Sequence, residues 1–192
     1  MIISYNFYYA RPGNAAAVLQ QRISASDVRA QLGLPRGRTI SKLEGGDDLP
    51  DVIWRLDFAD METQDADMQA RAASTEFETI RQGMRQLYRR FERPLYAPFG
   101  KSPSSPGCGP QQTLLLYGLY CDASASPADL ANPALGTVLG DIQAVEFISG
   151  GTDVPRLLCE TGAAGLPQDV LEHLGRLPLR IERSAWSVAD DG

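Results

Sequence analysis

One order of strand-like and helix-like segments occurs twice along this chain, and that repetition limits the fold more than any single motif does. The first pass begins with a β-branched, aromatic run, residues 2–10, which predicts a strand. Arg11-Pro12-Gly13-Asn14 breaks it, and helix-prone sequence follows from Ala15 to Leu32, with Val18, Leu19 and Ile23 as an apolar stripe. Ser26-Asp27 suits the N-cap of a second helical piece, and Gly33 with Pro35 supplies a stop. Residues 38–44 and 52–58 read as two strands around the turn-forming Gly45-Gly46-Asp47-Asp48-Leu49-Pro50-Asp51. A long helix is expected over residues 65–91, because Phe77, Ile80, Met84, Leu87, Tyr88 and Phe91 recur at helical spacing. Pro94 ends it, and Leu95-Tyr96 forms a short edge strand.

Residues 100–112 differ in kind. Prolines, glycines and serines dominate Lys101-Ser102-Pro103-Ser104-Ser105-Pro106-Gly107-Cys108-Gly109-Pro110, which predicts a linker. The order then resumes: a strand over 113–121, a weaker helix over 127–139, strands over 143–149 and 156–160, a helix over 167–177 and a last strand over 179–188. Both halves spell β-α-β-β-α, and the second adds a clear final strand. This is the split βαβ order of the ferredoxin-like fold. The expected organisation is α+β, with a repeat at residues 1–99, a linker at 100–112 and a second repeat at 113–192. Gly45-Gly46 and Gly150-Gly151 hold corresponding turns, but the repeat is one of pattern, with little residue identity.

Composition narrows the function classes. A net charge of −6 argues against nucleic acid as a partner, since phosphate binding needs a concentrated basic surface. The densest basic run, residues 81–93, contains Glu92 and reads as a solvated helix face. No apolar run approaches the ~20 residues of a membrane-spanning helix, and the first ten residues lack the basic start of a signal peptide. Cys108, Cys121 and Cys159 are odd in number and lack CxxC spacing, so reduced thiols in a cytoplasmic protein are expected. Cys121 and Cys159 lie in apolar runs and read as core residues.

Ala72-Ala73-Ser74-Thr75-Glu76-Phe77, at the head of the expected long helix, resembles the dimeric α/β barrel superfamily, in particular its antibiotic-biosynthesis-monooxygenase-like and NIPSNAP-like branches. Those branches often carry a small polar residue there, with an aromatic three positions later. The resemblance covers residues 1–99; the second half matches by element order alone. It implies two ferredoxin-like sheets closed into one barrel on a single chain, with helices outside. Haem-degrading members have an Asn on the first strand, where Asn6 stands. Their long helix reads Trp-x-x-Ser-x-x-Phe-x-x-x-His, and aligning Ser74 and Phe77 puts Arg71 at the Trp and Arg81 at the iron-ligating His. A protonated arginine offers iron no lone pair, so haem chemistry is not expected. The resemblance also admits a further homodimer through outer barrel surfaces.

Strand alternation, read with that barrel, locates a candidate site. The more apolar faces, Ile3-Tyr5-Phe7-Tyr9 and Val52-Trp54-Leu56-Phe58, are expected against helices. The opposite faces carry Ser4, Asn6, Tyr8, Arg55 and Asp57 inward, joined by Arg156, Leu158 and Glu160 from the second half. The expected ligand-binding residues are Asn6, Tyr8, Arg55, Asp57 and Glu160, with a small-molecule ligand in the barrel interior. The alternative is that Arg55, Asp57 and Glu160 make structural ion pairs between the sheets. Trp54 and Trp186 read as core residues. His173, the only histidine, falls off the apolar stripe of its helix. No His-Glu-x-x-His, Cys-His cluster, Ser-His-Asp triad or phosphate loop is present, so no metal or cofactor is expected.

Three readings remain open. The barrel binds a small aromatic or polyketide-like metabolite without catalysis; it is a cofactor-independent monooxygenase or isomerase in which Asn6, Tyr8 and Arg55 steer charge; or it is a structural protein with a filled interior.

Overall fold

The computed structural model describes residues 1–99, 112–121, 139, 143–151, 154–177 and 179–189. Nine strands and four helices are defined among them. The first stretch contains β1 (Ile2–Ala10), α1 (Ala15–Gln31), β2 (Arg38–Glu44), β3 (Val52–Phe58), α2 (Met61–Ala72), α3 (Thr75–Leu87), β4 (Tyr88–Glu92) and β5 (Leu95–Pro98). Then come β6 (Thr113–Cys121), β7 (Gln143–Ser149), β8 (Leu157–Gly162), α4 (Gln168–Leu174) and β9 (Leu179–Val188). The expected linker and most of the expected 127–139 helix lie outside the described residues.

Eight strands close into an antiparallel barrel in the order β1-β3-β2-β9-β6-β8-β7-β5, with β5 returning to β1. β4 lies on the same side of β1 as β5, paired with its Phe7–Ala10 end. Two seams join strands from before residue 100 to strands from after residue 112. One is β2 with β9, where Ile40 faces Val188; the other is β5 with β7, where Tyr96 faces Phe147. The expected edge strand at Leu95-Tyr96 is therefore no edge: it is one of the two closures of the ring.

The predicted long helix divides. Ser74 has extended backbone and its hydroxyl accepts from the Phe77 N–H at 3.1 Å, so it caps a new helix, α3, just after α2 ends. Asp60 caps α2 in the same way through the Thr63 N–H at 2.8 Å. Tyr88 leaves the helical region for β4, which takes Phe91 with it. In contrast, α1 runs unbroken through Ser26 and Asp27. Ser26 is fully buried and its hydroxyl donates to the Arg36 carbonyl, so it is not available as a cap.

Both faces of β1 are buried, and pairing with β3 decides which goes where. Tyr5 sits opposite Arg55 and Tyr8 opposite Val52, so each pair shares a face. The Ile3-Tyr5-Phe7-Tyr9 face points into the barrel, where it meets Ile53, Leu114, Leu116, Leu158 and Trp186. This corrects the expectation that it packs on helices. The Val52-Trp54-Leu56-Phe58 face does pack on helices, with Val18 of α1 and Met84 of α3, and Tyr8 goes with it. A third cluster, including Leu115, Tyr117 and Cys159, packs on α4 through Val170 and Leu174.

The interior is filled by these side chains; the space left at one end, beside Gly118 and Trp186, is about 30 Å3, room for roughly one water. Among the described residues no helix is long and apolar enough to cross a membrane.

Gly37 shows how tightly the helix side of β3 is built. Its φ is +78°, and a Cβ there would stand 2.3 Å from Trp54 Nε1 and 2.8 Å from the Arg55 carbonyl. Trp54 Nε1 uses that clearance to donate to the Arg36 carbonyl at 2.9 Å. Gly37→Ala is expected to cost at least about 2 kcal/mol, by left-handed backbone strain plus loss of this bond, measured by urea denaturation.

Candidate functional site

The five residues expected to bind ligand fall into two groups on opposite faces of the sheet. Arg55 and Glu160 are together inside the barrel, with Asp57 about one third exposed at its rim. Asn6 and Tyr8 are outside the barrel, under the helices, along with Ser4.

Inside, Glu160 of β8 is the meeting point. One carboxylate oxygen accepts from the Tyr5 hydroxyl at 2.7 Å; the other accepts from Arg38 at 2.6 Å and Arg55 at 2.7 Å. Arg55 completes its fork on Asp57 at 2.8 and 3.0 Å. These contacts tie β1, β2 and β3 to β8 across the barrel. Burial alone would raise the Glu160 pKa, but the charges of Arg38 and Arg55 and the hydrogen bonds they and Tyr5 make bring it down to about 2. Burial pushes Tyr5 the other way, well above the ordinary phenol value. The arrangement has the hallmarks of structural ion pairs: the Glu160 carboxylate accepts three hydrogen bonds and is sealed from solvent.

The larger cavity, about 300 Å3, lies between the outer face of β1, β3 and β4 and helices α1 to α3. That is the lower end of the roughly 300–1,000 Å3 range of small-molecule sites. Asn6, Tyr8 and Trp54 form its floor. Phe77, Ile80 and Met84 of α3 and Phe91 of β4 form an apolar wall, and six arginines, Arg22, Arg29, Arg71, Arg81, Arg85 and Arg93, complete the lining with no carboxylate among them. The chain has sixteen arginines against two lysines, so more than a third of its arginines converge here.

Each element places its arginine for a local reason. Arg22 and Arg29 stand two turns apart on α1, with guanidinium carbons 4.8 and 4.9 Å from the Trp54 ring centre. Arg29 is held bidentate by buried Asp67 of α2, at 2.5 and 3.2 Å, and donates through Nε to the Pro35 carbonyl. Asp67 also takes Nε of Arg71 one turn later at 2.7 Å. Burial lowers the Arg29 pKa, and Asp67 opposes that shift. Arg93, just beyond β4, donates through Nε to Asn6 Oδ1 at 3.2 Å; the Asn6 amide nitrogen in turn donates to the Tyr8 hydroxyl oxygen at 3.2 Å. Because a guanidinium can only donate, this bond fixes which end of the Asn6 amide faces Tyr8.

These arginines were missed from sequence. The 81–93 run is helical only as far as Leu87, and residues 88–92 are β4; Arg81 and Arg85 on α3 are exposed as expected, and with Arg93 they also line the cavity. A signal did exist in α1, whose buried stripe is Val18, Arg22, Ala25, Ser26 and Arg29. Charged residues at core spacing mark a helix that covers something polar.

Other candidates fall away from the cavity. His173 is half-buried on α4, and burial, followed by the Glu160 charge, pushes the Cys159 thiol up to about 12, which makes it inert. Cys108 and the Cys121 side chain lie outside the described residues. Among the described residues no group of three His, Cys, Asp or Glu could hold a metal. Arg71 and Arg81, aligned with the Trp and the iron-ligating His, both line the cavity; a guanidinium where haem needs an imidazole does not fit that group.

No protein-family model matches the sequence, and no curated protein does. Solved structures match in three dimensions. A protein described as anthrone oxidase-like aligns over 98% of this chain and 91% of its own, with a TM-score of 0.59 and 9% identity. A Lactobacillus acidophilus protein, provisionally described as a monooxygenase, aligns over 100% of this chain and 96% of its own, with a TM-score of 0.53 and 9% identity. An uncharacterised NIPSNAP domain protein from Burkholderia xenovorans aligns entirely with 54% of this chain, with a TM-score of 0.46 and 15% identity. The chain has the dimeric α/β barrel fold that the resemblance of residues 72–77 implied. Identities this low establish the fold and leave activity to the site.

The sign of the Glu160 shift gives a pH test. Its native pKa of about 2, against an ordinary 4.5, means its stabilisation is complete above pH 4.5 and lost as pH falls toward 2. Glu160→Gln is expected to cost about 3–5 kcal/mol at pH 7, since it leaves Arg38 and Arg55 without their shared anion. The variant should also show a flatter decline of urea-unfolding stability between pH 4.5 and 2 than the parent does.

Proposed function

We propose that the chain binds a small aromatic metabolite in the cavity between the sheet and helices α1 to α3, outside the filled barrel interior. The observation that carries this reading is the pairing of a 300 Å3 space with a lining of two kinds, an aromatic and aliphatic wall facing convergent polar groups. A purely structural protein gains nothing from leaving such a space open, because unfilled apolar volume costs stability. The position supports it too: Asn6, Phe77 and the residues aligned with the haem-site Trp and His all belong to this lining.

The two halves are read as tandem ferredoxin-like repeats, residues 1–99 and 113–192. The strand orders β5-β1-β3-β2 and β9-β6-β8-β7, each the fourth, first, third and second strand of a split βαβ unit, support that reading. Binding is then asymmetric, because the described cavity belongs to the first repeat. A homodimer through outer surfaces is compatible with the fold and is not required for this site.

Cofactor-independent oxidation of the bound molecule is the second reading. The names of the aligned anthrone oxidase-like and monooxygenase-like proteins favour it, as does the crowd of guanidiniums. Such a crowd would hold a phenol or enol as its anion, the form that donates an electron to dioxygen.

Trp54 lines the cavity, whereas Trp186 is sealed in the barrel. In a Trp186→Phe background, fused-ring phenols and quinols are expected to quench the Trp54 fluorescence saturably, and Ala72→Trp, which fills the cavity, should abolish the effect. Quenching unaffected by Ala72→Trp would remove the site. Dioxygen uptake with the same compounds in an oxygen electrode separates the oxidation reading from simple binding.

A further inference from the structure

We propose that the cavity's ligand is an aromatic carboxylic acid, its carboxylate held by Arg71, Arg81 and Arg93 and by the hydroxyl of Tyr8. This deepens the binding reading above and rests on it.

Two independent features converge on an anionic acceptor. The first is Tyr8. It is 5% exposed and its oxygen already accepts from Asn6. The proton of that hydroxyl has no acceptor among the described residues, although a buried hydroxyl without one forfeits about 1–3 kcal/mol. The Asn6 orientation forces this outcome: with Oδ1 claimed by Arg93, only the amide nitrogen is left for Tyr8, and a nitrogen donor cannot take the phenol's proton. A ligand oxygen in the cavity would complete the set.

The second is the crowding of like charge beside that hydroxyl. Arg93, an exposed residue, leans on Asn6, next to Tyr8; the partial burial of its guanidinium and then the charges of Arg71 and Arg81 lower its pKa, against the opposing effects of Tyr8 and Asp67. Arg71 gives its Nε to Asp67, which also serves Arg29, so one carboxylate answers two guanidiniums. Arg81 pairs with Glu78, while Arg93 has no carboxylate in ion-pair distance among the described residues. The charges of Arg71 and Arg81 bear on Arg93, and a bound carboxylate relieves that repulsion while accepting a hydrogen bond from the Tyr8 hydroxyl. In a chain of net charge −6 such a surplus is local, set by where the fold brings these arginines.

The remaining volume sets the rest of the ligand. Acid group and body share the cavity's total of about 300 Å3, and the part walled by Phe77, Met84 and Phe91 accepts a flat body of roughly two or three fused rings.

Matched pairs test this: carboxylic acids with one, two and three fused rings, each against its methyl ester, titrated at pH 7 with Trp54 as reporter in Trp186→Phe. At least one acid should bind ten-fold or more tightly than its ester and weaken several-fold between 50 and 500 mM NaCl. Arg93→Met should erase the acid's advantage while leaving the ester's affinity unchanged. Tyr8→Phe should weaken the acid about three- to ten-fold with little change for the ester. Arg71→Met, checked for native circular dichroism, is the second arm should Arg93→Met fold poorly. Esters binding as well as acids, blocked by Ala72→Trp, would overturn the inference and keep the binding reading. Binding of neither member of any pair would overturn both.

Discussion

An eight-stranded ring has an interior just wide enough for side chains to fill, and that geometric limit governs the rest of this molecule. The bulkiest apolar face of β1, Ile3 to Tyr9, fills it, with Trp186 and with Leu114 and Leu116 of β6. Once the interior is occupied, space for a ligand can survive only where helices lie over the sheet. The larger cavity is therefore on the outer face of β1 and β3, and Asn6 and Tyr8 are turned toward it.

Arginine serves two opposed purposes on the two faces. Inside, Arg38 and Arg55 are balanced in charge by Glu160 and Asp57, and the result is a neutral clasp between β1 to β3 and β8. Breaking such a set by removing one member is far costlier than its presence is stabilising, so it acts more to enforce one arrangement than to add net stability. Outside, the guanidiniums outnumber their carboxylates. Asp67 holds Arg29 and Arg71 rigid without neutralising the group. A surface that is preorganised and still short of anions is suited to recognition, because the cost of assembling the charges is met by folding.

The strands were legible because their signal is local. β1, β2, β3, β7 and β9 begin and end where alternation and turn chemistry put them, and the α1 start follows Asn14 as expected. Helix boundaries were less so. Residues 65–91 keep an apolar periodicity through Ser74 and Tyr88, and periodicity cannot register that a serine hydroxyl caps one helix or that Tyr88 turns into a strand. Of the candidate site, Arg55, Asp57 and Glu160 were legible as a group facing inward, with ion pairing already one of two readings. Asn6 and Tyr8 face the helices and not the interior, and the sequence does not reveal it because β1 is buried on both faces, and alternation separates two faces without naming them.

Sequence alone determined the alternation of strands and helices and their doubled order, since propensity, turn residues and hydrophobic period act over a few neighbours. Which face of β1 became the interior was decided by its register with β3, a contact about fifty residues away in the chain. The cavity depended on the same kind of choice. Arg22, Arg29, Arg71, Arg81, Arg85 and Arg93 come from α1, α2, α3 and the end of β4, and each in isolation is an ordinary helix or loop arginine. Only the packing of those elements over one sheet face brings their charges close enough to act together, because electrostatic coupling depends on distance in space and not along the chain.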